Sequence, residues 1–422
     1  MICIQFINQL LINRSTSAQK ERTFLEQFFV LAVFLDAIEC NNCTVGSSLS
    51  TSLTKFSVSL YQATSKSIGK YDNIVLSPSS ISLVLAMTLI GARGNTANQI
   101  KKAFHMTFQD DETIACNIGA LNRPAKGNGN ILSSVNRVLV SDEFRLTESF
   151  RSTLQNQFTA TAENINFSLP LTIETINKQI EKLTNDKITN LIPKGSFGAQ
   201  TKLILLNAIY FKGNWLKAFD STKSQVSPFY VSPNHKPIPT KMMVSRNYFR
   251  TAFINEANLQ ALELPYSGSQ FSMVILLPNR LNGLALLESS LSSKLLDLID
   301  RRWNKIQVDV VIPIFKFESS PDLKRALRSV GIVDLFNDDA DLSGISGSKD
   351  LYVTDAFHRT IIEVNEKGTE AAAATARSFR RTPFIPKFVA DHPFIFLIRD
   401  TRTNTIRFVG RFCKPEKIWL DG

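Results

Sequence analysis

The sequence predicts an α+β fold in one large body, built on extensive and mostly antiparallel β-sheets. Three observations carry that expectation. Helical periodicity dominates the early part of the chain, strand patterns dominate the late part, and the run from Lys202 to Phe211 is almost unbroken apolar, as in a strand covered on both faces.

In chain order, Phe56, Val58, Leu60 and Tyr61 open a helical pattern that runs to the Gly69 region. A second helix spans Ser80 to Ile90, capped at Ser79 or Ser80 and closed by Gly91. Residues 131 to 140 read as a strand, Glu148 to Phe158 as a helix, and Ile173 to Leu191 as a long amphipathic helix. Strands follow at Leu259 to Leu264, Phe271 to Leu277, Gln307 to Phe317 and Thr405 to Phe412. From about Ser52 onward no Gly/Ser linker, repeat or charge block cuts the chain. The simplest division is a leader over residues 1–48 and one domain over 49–422.

The leader differs from the body. Lys20, Glu21 and Arg22 precede the apolar stretch Phe28 to Leu35, the order of a secretory signal, which predicts a secreted, extracellular protein. Glu26 interrupts the start of that stretch and about twenty residues stand upstream of it, so either translation starts later than Met1 or the stretch is an amphipathic tail. Sequons stand at Asn13, Asn42 and Asn166, and Asn166, the one in the body, is the glycosylation candidate.

Cys3, Cys40, Cys43, Cys116 and Cys413 are too few and too scattered for a disulfide framework, and Cys116 and Cys413 read as buried or free thiols. The net charge of +11 is mostly dispersed. Its densest runs are Arg301, Arg302 and Lys305 beside Trp303, and Arg377, Arg380 and Arg381; the first reads either as a solvated helix face or as a weak glycosaminoglycan contact. No zinc-finger or RNA-binding pattern predicts a nucleic-acid partner, and eight apolar residues are too few for a membrane span. Nor does any catalytic motif appear. His105, His235, His358 and His392 fall in no H-E-x-x-H, and there is no G-x-S-x-G elbow, Walker loop or dinucleotide fingerprint, so the chain reads as a non-enzyme without cofactor or metal.

The function-bearing segment runs from Glu363 to Ala376. Its alanines by themselves favour helix. Yet it follows the strand-like run Thr360 to Val364, places Gly368 where a chain can pivot, and ends at Pro383, which disfavours helix before it. This segment resembles the reactive-loop hinge of inhibitory serpins. Other stretches resemble the same family in order along the chain: Asn73 to Ser80, Leu206 to Trp215, Phe388 to Phe396, and Phe408 to Arg411. The resemblance implies a serpin fold of about three β-sheets and about nine helices with an exposed reactive-centre loop. It also implies a monomer that traps serine proteases covalently: the protease cleaves the loop, stays acyl-linked, and is carried away as the loop inserts into the central sheet.

The hinge residues the resemblance assigns are Glu366, Gly368, Thr369, Glu370, Ala371, Ala372, Ala373, Ala374 and Thr375. With period two, Thr369, Ala371, Ala373 and Thr375 share one face, all small enough to enter a closed sheet, and Glu370 falls on the other. About fifteen residues of added strand would carry a tethered protease about 50 Å. Arg377 has the parity of Thr369: either it snorkels at the far end of the sheet or its charge on the inner face slows insertion.

Family spacing counted from Glu366 or Pro393 places the scissile residue at Thr382. Pro383 on the leaving side suits most serine proteases badly, whereas Arg381 fits a trypsin-like pocket. The expected reactive bond is therefore Arg381–Thr382, with Arg380–Arg381 next and Thr382–Pro383 last. Adjacent arginines also suit a dibasic-specific processing protease. The resemblance further places Ser77, Ser80, Asn207 and His358 in a polar shutter cluster beneath the central sheet, and Trp215 where the loop enters. Taken alone, His358 reads as a satisfied core histidine. The helix matching the family's usual glycosaminoglycan site, Thr113 to Leu121, carries no lysine or arginine. One rival reading is a non-inhibitory carrier or chaperone, which the small hinge residues disfavour; a second is an intracellular serpin with the same mechanism in another compartment.

Overall fold

A computed structural model describes residues 46–122, 130–158, 160–370 and 385–415. The leader stretch and its sequons, Cys3, Cys40, Cys43, the hinge alanines Ala371 to Ala374, Thr375, Arg377, Arg380, Arg381 and Thr382 lie outside them. The described residues all belong to one compact unit, Val45–Gly422.

Among the described residues there are ten α-helices: α1 (Ser47–Ser65), α2 (Pro78–Gly91), α3 (Gly94–Ala103), α4 (Asp111–Leu121), α5 (Glu148–Thr153), α6 (Thr172–Leu183), α7 (Leu284–Ser290), α8 (Ser293–Arg302), α9 (Leu323–Ser329) and α10 (Ser343–Ser346). Sixteen strands form three sheets. The five-stranded sheet contains β2 (Ile131–Ser141), β3 (Thr161–Ile165), β4 (Leu203–Lys212), β11 (Phe315–Ser319) and β12 (Val353–Val364), in the order β11-β12-β4-β2-β3. The nine-stranded sheet gathers β1 (Ile74–Leu76), β6 (Gln225–Phe229), β7 (Ile238–Ile254), β8 (Leu259–Pro265), β9 (Phe271–Pro278), β10 (Asn304–Pro313), β14 (Lys387–Val389), β15 (Phe394–Asp400) and β16 (Thr405–Phe412). A small third sheet pairs β5 (Trp215–Lys217) with β13 (Gly368–Glu370). The α+β class, the three sheets and the near count of helices match the expectation.

Several boundaries differ for local reasons. Helix α1 begins before the predicted Phe56, and α2 is capped by Ser77, whose hydroxyl accepts from the Ser80 amide, with Pro78 in the first turn where its missing N–H costs nothing. Helix α6 stops at Leu183 and not at Leu191, because Asn185 and Asp186 turn into the left-handed region at φ 50° and 58°. The single strand predicted from Gln307 to Phe317 is two strands in two different sheets. Pro313 ends the first, having no N–H for a ladder.

Strand β4 explains its own apolar sequence. Ile204, Leu206, Ala208 and Tyr210 pack outward beneath Ile176 and Ile180 of α6. Leu203 and Leu205 pack inward with α2, and Ile209 and Phe211 enter the aromatic core with Phe315, Phe396 and Phe408. Both faces are therefore buried. Cys413 is a buried free thiol as expected, whereas Cys116 stands in a disulfide, which the scattered spacing did not predict.

Candidate functional site

The site is the seam between β4 and β12. These two neighbours run parallel, in register from Val353↔Leu203 to Glu363↔Lys212, with one bulge between Val353 and Asp355. Their outer partners, β2 on β4 and β11 on β12, are antiparallel. A strand running opposite to both would convert this parallel pair into two antiparallel pairs, the slightly stronger arrangement per residue.

Midway along the seam the structure brings together Ser77, Ser80, Asn207 and His358, all at 2% exposure or less. The Ser77 amide donates to His358 Nε2 at 3.3 Å and the Thr360 hydroxyl meets the same nitrogen at 2.7 Å. Nε2 is therefore the acceptor, and Nδ1 carries the proton directed at Asn207 Oδ1. Asn207 Oδ1 also accepts from the Ser80 hydroxyl at 2.9 Å, while its amide donates to Asn136 of β2. Ser77 Oγ donates to the Arg407 carbonyl at 2.9 Å. Burial pushes the His358 pKa down to about 3, so the ring is neutral and fixed in one tautomer. Asn136 and Thr360 were missed by sequence reasoning. Thr360 shares a strand face with His358, a signal spacing could have given, but Asn136 enters only through the β2–β4 register.

At the end of the seam where β12 leaves the sheet, Trp215 stacks on Tyr266 with ring centroids 4.4 Å apart and planes 9° from parallel. Its indole Nε1 donates to the Asn365 carbonyl at 2.7 Å, and its amide donates to the Lys367 carbonyl at 2.9 Å. Gly213 makes room for the stack, since a Cβ there would fall 2.4 Å from the Tyr266 ring. Glu366 is fixed by a hydrogen bond from Ser224 Oγ at 2.9 Å and by Lys241 at 3.7 Å. Beyond it, Gly368 and Glu370 pair in parallel with Trp215 and Lys217, and the Thr369 hydroxyl reaches the Trp215 and Leu216 carbonyls at 3.4 Å. Gly368 is required by close approach, because a Cβ would lie 2.6 Å from the Ala218 backbone; its φ is not left-handed. A polar link crosses the seam at this end as well: Lys212 of β4 contacts Glu363 of β12, and the Tyr210 hydroxyl donates to Glu363 at 3.1 Å.

The remaining sequence candidates lie apart from the seam. Asn166 Oδ1 accepts from the Ser168 amide at 3.0 Å and closes a turn before α6. Arg302 pairs with Glu256 at 3.3 Å, and Arg250, itself paired with Glu263, lies over the Trp303 ring, which leaves this basic face partly neutralised. No helix among the described residues is long and apolar enough to cross a membrane, and no metal-binding cluster occurs among them.

Comparison with known proteins fits this geometry. The family model "Serpin (serine protease inhibitor)" matches residues 51–415. Human Serpin B3 is 37% identical over 399 residues, 87% of this chain and 100% of the relative, and human leukocyte elastase inhibitor is 37% identical over 384 residues, 87% and 99%. Among solved structures, Serpin48 of the insect Tenebrio molitor superposes with a TM-score of 0.77 at 30% identity, over 87% of this chain and 98% of that one. These relatives correct the predicted location. Serpin B3, Serpin B4 and leukocyte elastase inhibitor belong to the intracellular branch of the family, which overturns the secreted, extracellular reading of the leader. The physical weakness of that reading was in the stretch itself, eight apolar residues with Glu26 interrupting their start and about twenty residues upstream where a signal has only a few. The ordered match over residues 51–415 and the full-length agreement with these relatives show that the chain belongs to the serpin family.

Proposed function

We propose that this protein is a suicide-substrate inhibitor of trypsin-like serine proteases, with its domain over 49–422 and its leader, 1–48, outside the mechanism. The observation that carries the reading is the parallel β4–β12 pair, unfilled by any intervening strand, with the hinge leaving the end of β12. A protease serine attacks the Arg381 carbonyl, the Arg381–Thr382 bond breaks, and the new amine of Thr382 leaves the acyl carbon while its segment stays held by β14, β15 and β16 in the nine-stranded sheet. The acyl-linked remainder then reverses at the hinge and enters the seam antiparallel to both neighbours. Thr369, Ala371, Ala373 and Thr375 supply the small inner face that this requires. The shutter residues Ser77, Ser80, Asn207 and His358 exchange partners as the strands part, and Trp215 marks the entry.

Leukocyte elastase inhibitor is named for a different protease, and the paired Arg380 and Arg381 are what favour a trypsin-like target here. Mixing the protein with trypsin tests the proposal. A covalent complex that survives denaturing electrophoresis, with a released peptide beginning at Thr382, is expected. Complete cleavage with no complex would exclude the inhibitor, and a peptide beginning at Arg381 or Pro383 would exclude the assigned bond.

A further inference from the structure

Lys212 and Glu363 are directly opposed across the β4–β12 seam, at its hinge end. Their side chains are in contact and only 24% and 20% exposed. The Tyr210 hydroxyl donates to the second carboxylate oxygen at 3.1 Å, and Asn365, one residue beyond the end of β12, donates to the first at 3.0 Å. Lys316 of β11 is the Cα partner of Glu363 on the other side. Burial alone would raise the Glu363 carboxyl, but the hydrogen bond and charge of Lys212, with Tyr210 and Lys316, hold it below its ordinary value, so it is the charged form that is clasped. The shutter link between Asn207 and His358 lies five residues deeper on each strand.

Adjacent strands stand about 4.8 Å apart, and admitting a strand between β4 and β12 roughly doubles that spacing, to about 10 Å. In such a filled seam the two side chains could meet only fully extended over the inserted strand, so the present half-buried contact with Tyr210 and Asn365 around it is broken. Glu363 retains Lys316, whereas Lys212 loses its partner. The contact stands at the end through which the hinge must pass, ahead of the shutter. Opening it therefore precedes insertion, and insertion races against completion of the protease's hydrolysis.

We infer that Lys212 and Glu363, with Tyr210, form a clasp whose opening sets how much captured protease is trapped and how much escapes, which makes both of them positioning residues for the inhibitory reaction. The inference rests on the loop-insertion reading above. Glu363→Gln and Lys212→Met are near-isosteric and leave the backbone pairing in place. Each is expected to speed spontaneous conversion to the loop-inserted, more heat-resistant form about fivefold on warming, the scale of one half-buried ion pair. Each should also lower the moles of inhibitor consumed per mole of trypsin, while the association rate with trypsin stays unchanged. The exchange Lys212→Glu with Glu363→Lys should return both quantities toward wild type. Single variants at the wild-type rate, or an exchanged pair as fast as the singles, would overturn the clasp. Failure of the wild type itself to gain heat resistance after cleavage within its loop would remove the insertion reading and the clasp with it, so the two failures are distinct.

Discussion

His358 is the residue whose chemistry is most constrained. Its ring is neutral in the fold, with Nε2 occupied as an acceptor and a pKa pushed from 6.5 to about 3 by burial. The sign of the resulting pH dependence follows from linkage. Below pH 6.5 the unfolded chain takes up a proton that the folded ring refuses, so this group's contribution is fully present above that value. It is lost as pH falls toward 3. Unfolding free energy measured by denaturant titration should fall across pH 6 to pH 4 by up to about 1.4 kcal/mol per pH unit from this group alone. The variant His358→Asn should be less stable at pH 7 but show a shallower slope, and an unchanged slope would exclude the assignment. Ser77, Ser80 and Asn207 could be located from the sequence because they lie within stretches resembling a known family, and the same resemblance assigned His358 to their cluster. Asn136 and Lys212–Glu363 could not, since their meeting depends on strand register, which residue spacing within one segment does not encode.

At the scale of elements, the period-two face of the hinge predicts the consequence of a charge. Ala373→Glu places a carboxylate on the inner face, whose burial without a partner costs several kcal/mol, about a thousandfold or more in an insertion rate. The variant is expected to be cleaved by trypsin at a wild-type rate and to form no stable complex, while Ala372→Glu, on the outer face, retains inhibition. Gel analysis of the two variants side by side separates this from a general loss of hinge function, and equal behaviour of both would contradict the facing. Strand β4 was legible because burial on both faces leaves a continuous apolar run. The β10–β11 break was not, since Pro313 and a change of sheet fall inside one apolar stretch that looks uniform in sequence. Similarly, the amphipathic pattern of α6 outlasts the helix. Apolar Ile188, Leu191 and Ile192 continue to pack on the sheet after Asn185 and Asp186 have ended the helical backbone.

For the whole molecule, the proposed loop insertion requires a fold that is not at its lowest free energy before cleavage, and the parallel seam is where the proposal places the gain. Adding a strand between β4 and β12 would exchange one parallel pairing for two antiparallel ones, so on the proposed mechanism the closed sheet is held kinetically. The leader marks the limit of reading this molecule from composition. A short apolar run after basic residues carries much the same local signal whether or not it directs export, and Glu26 and the long upstream stretch gained their weight only beside the relatives of the body. The most direct measurement is thermal unfolding before and after the reactive loop is cut. If the account holds, cleavage without loss of the N-terminal part of the loop raises the midpoint by tens of degrees, because the freed segment completes the sheet. A midpoint that is unchanged or lowered after cleavage would contradict it.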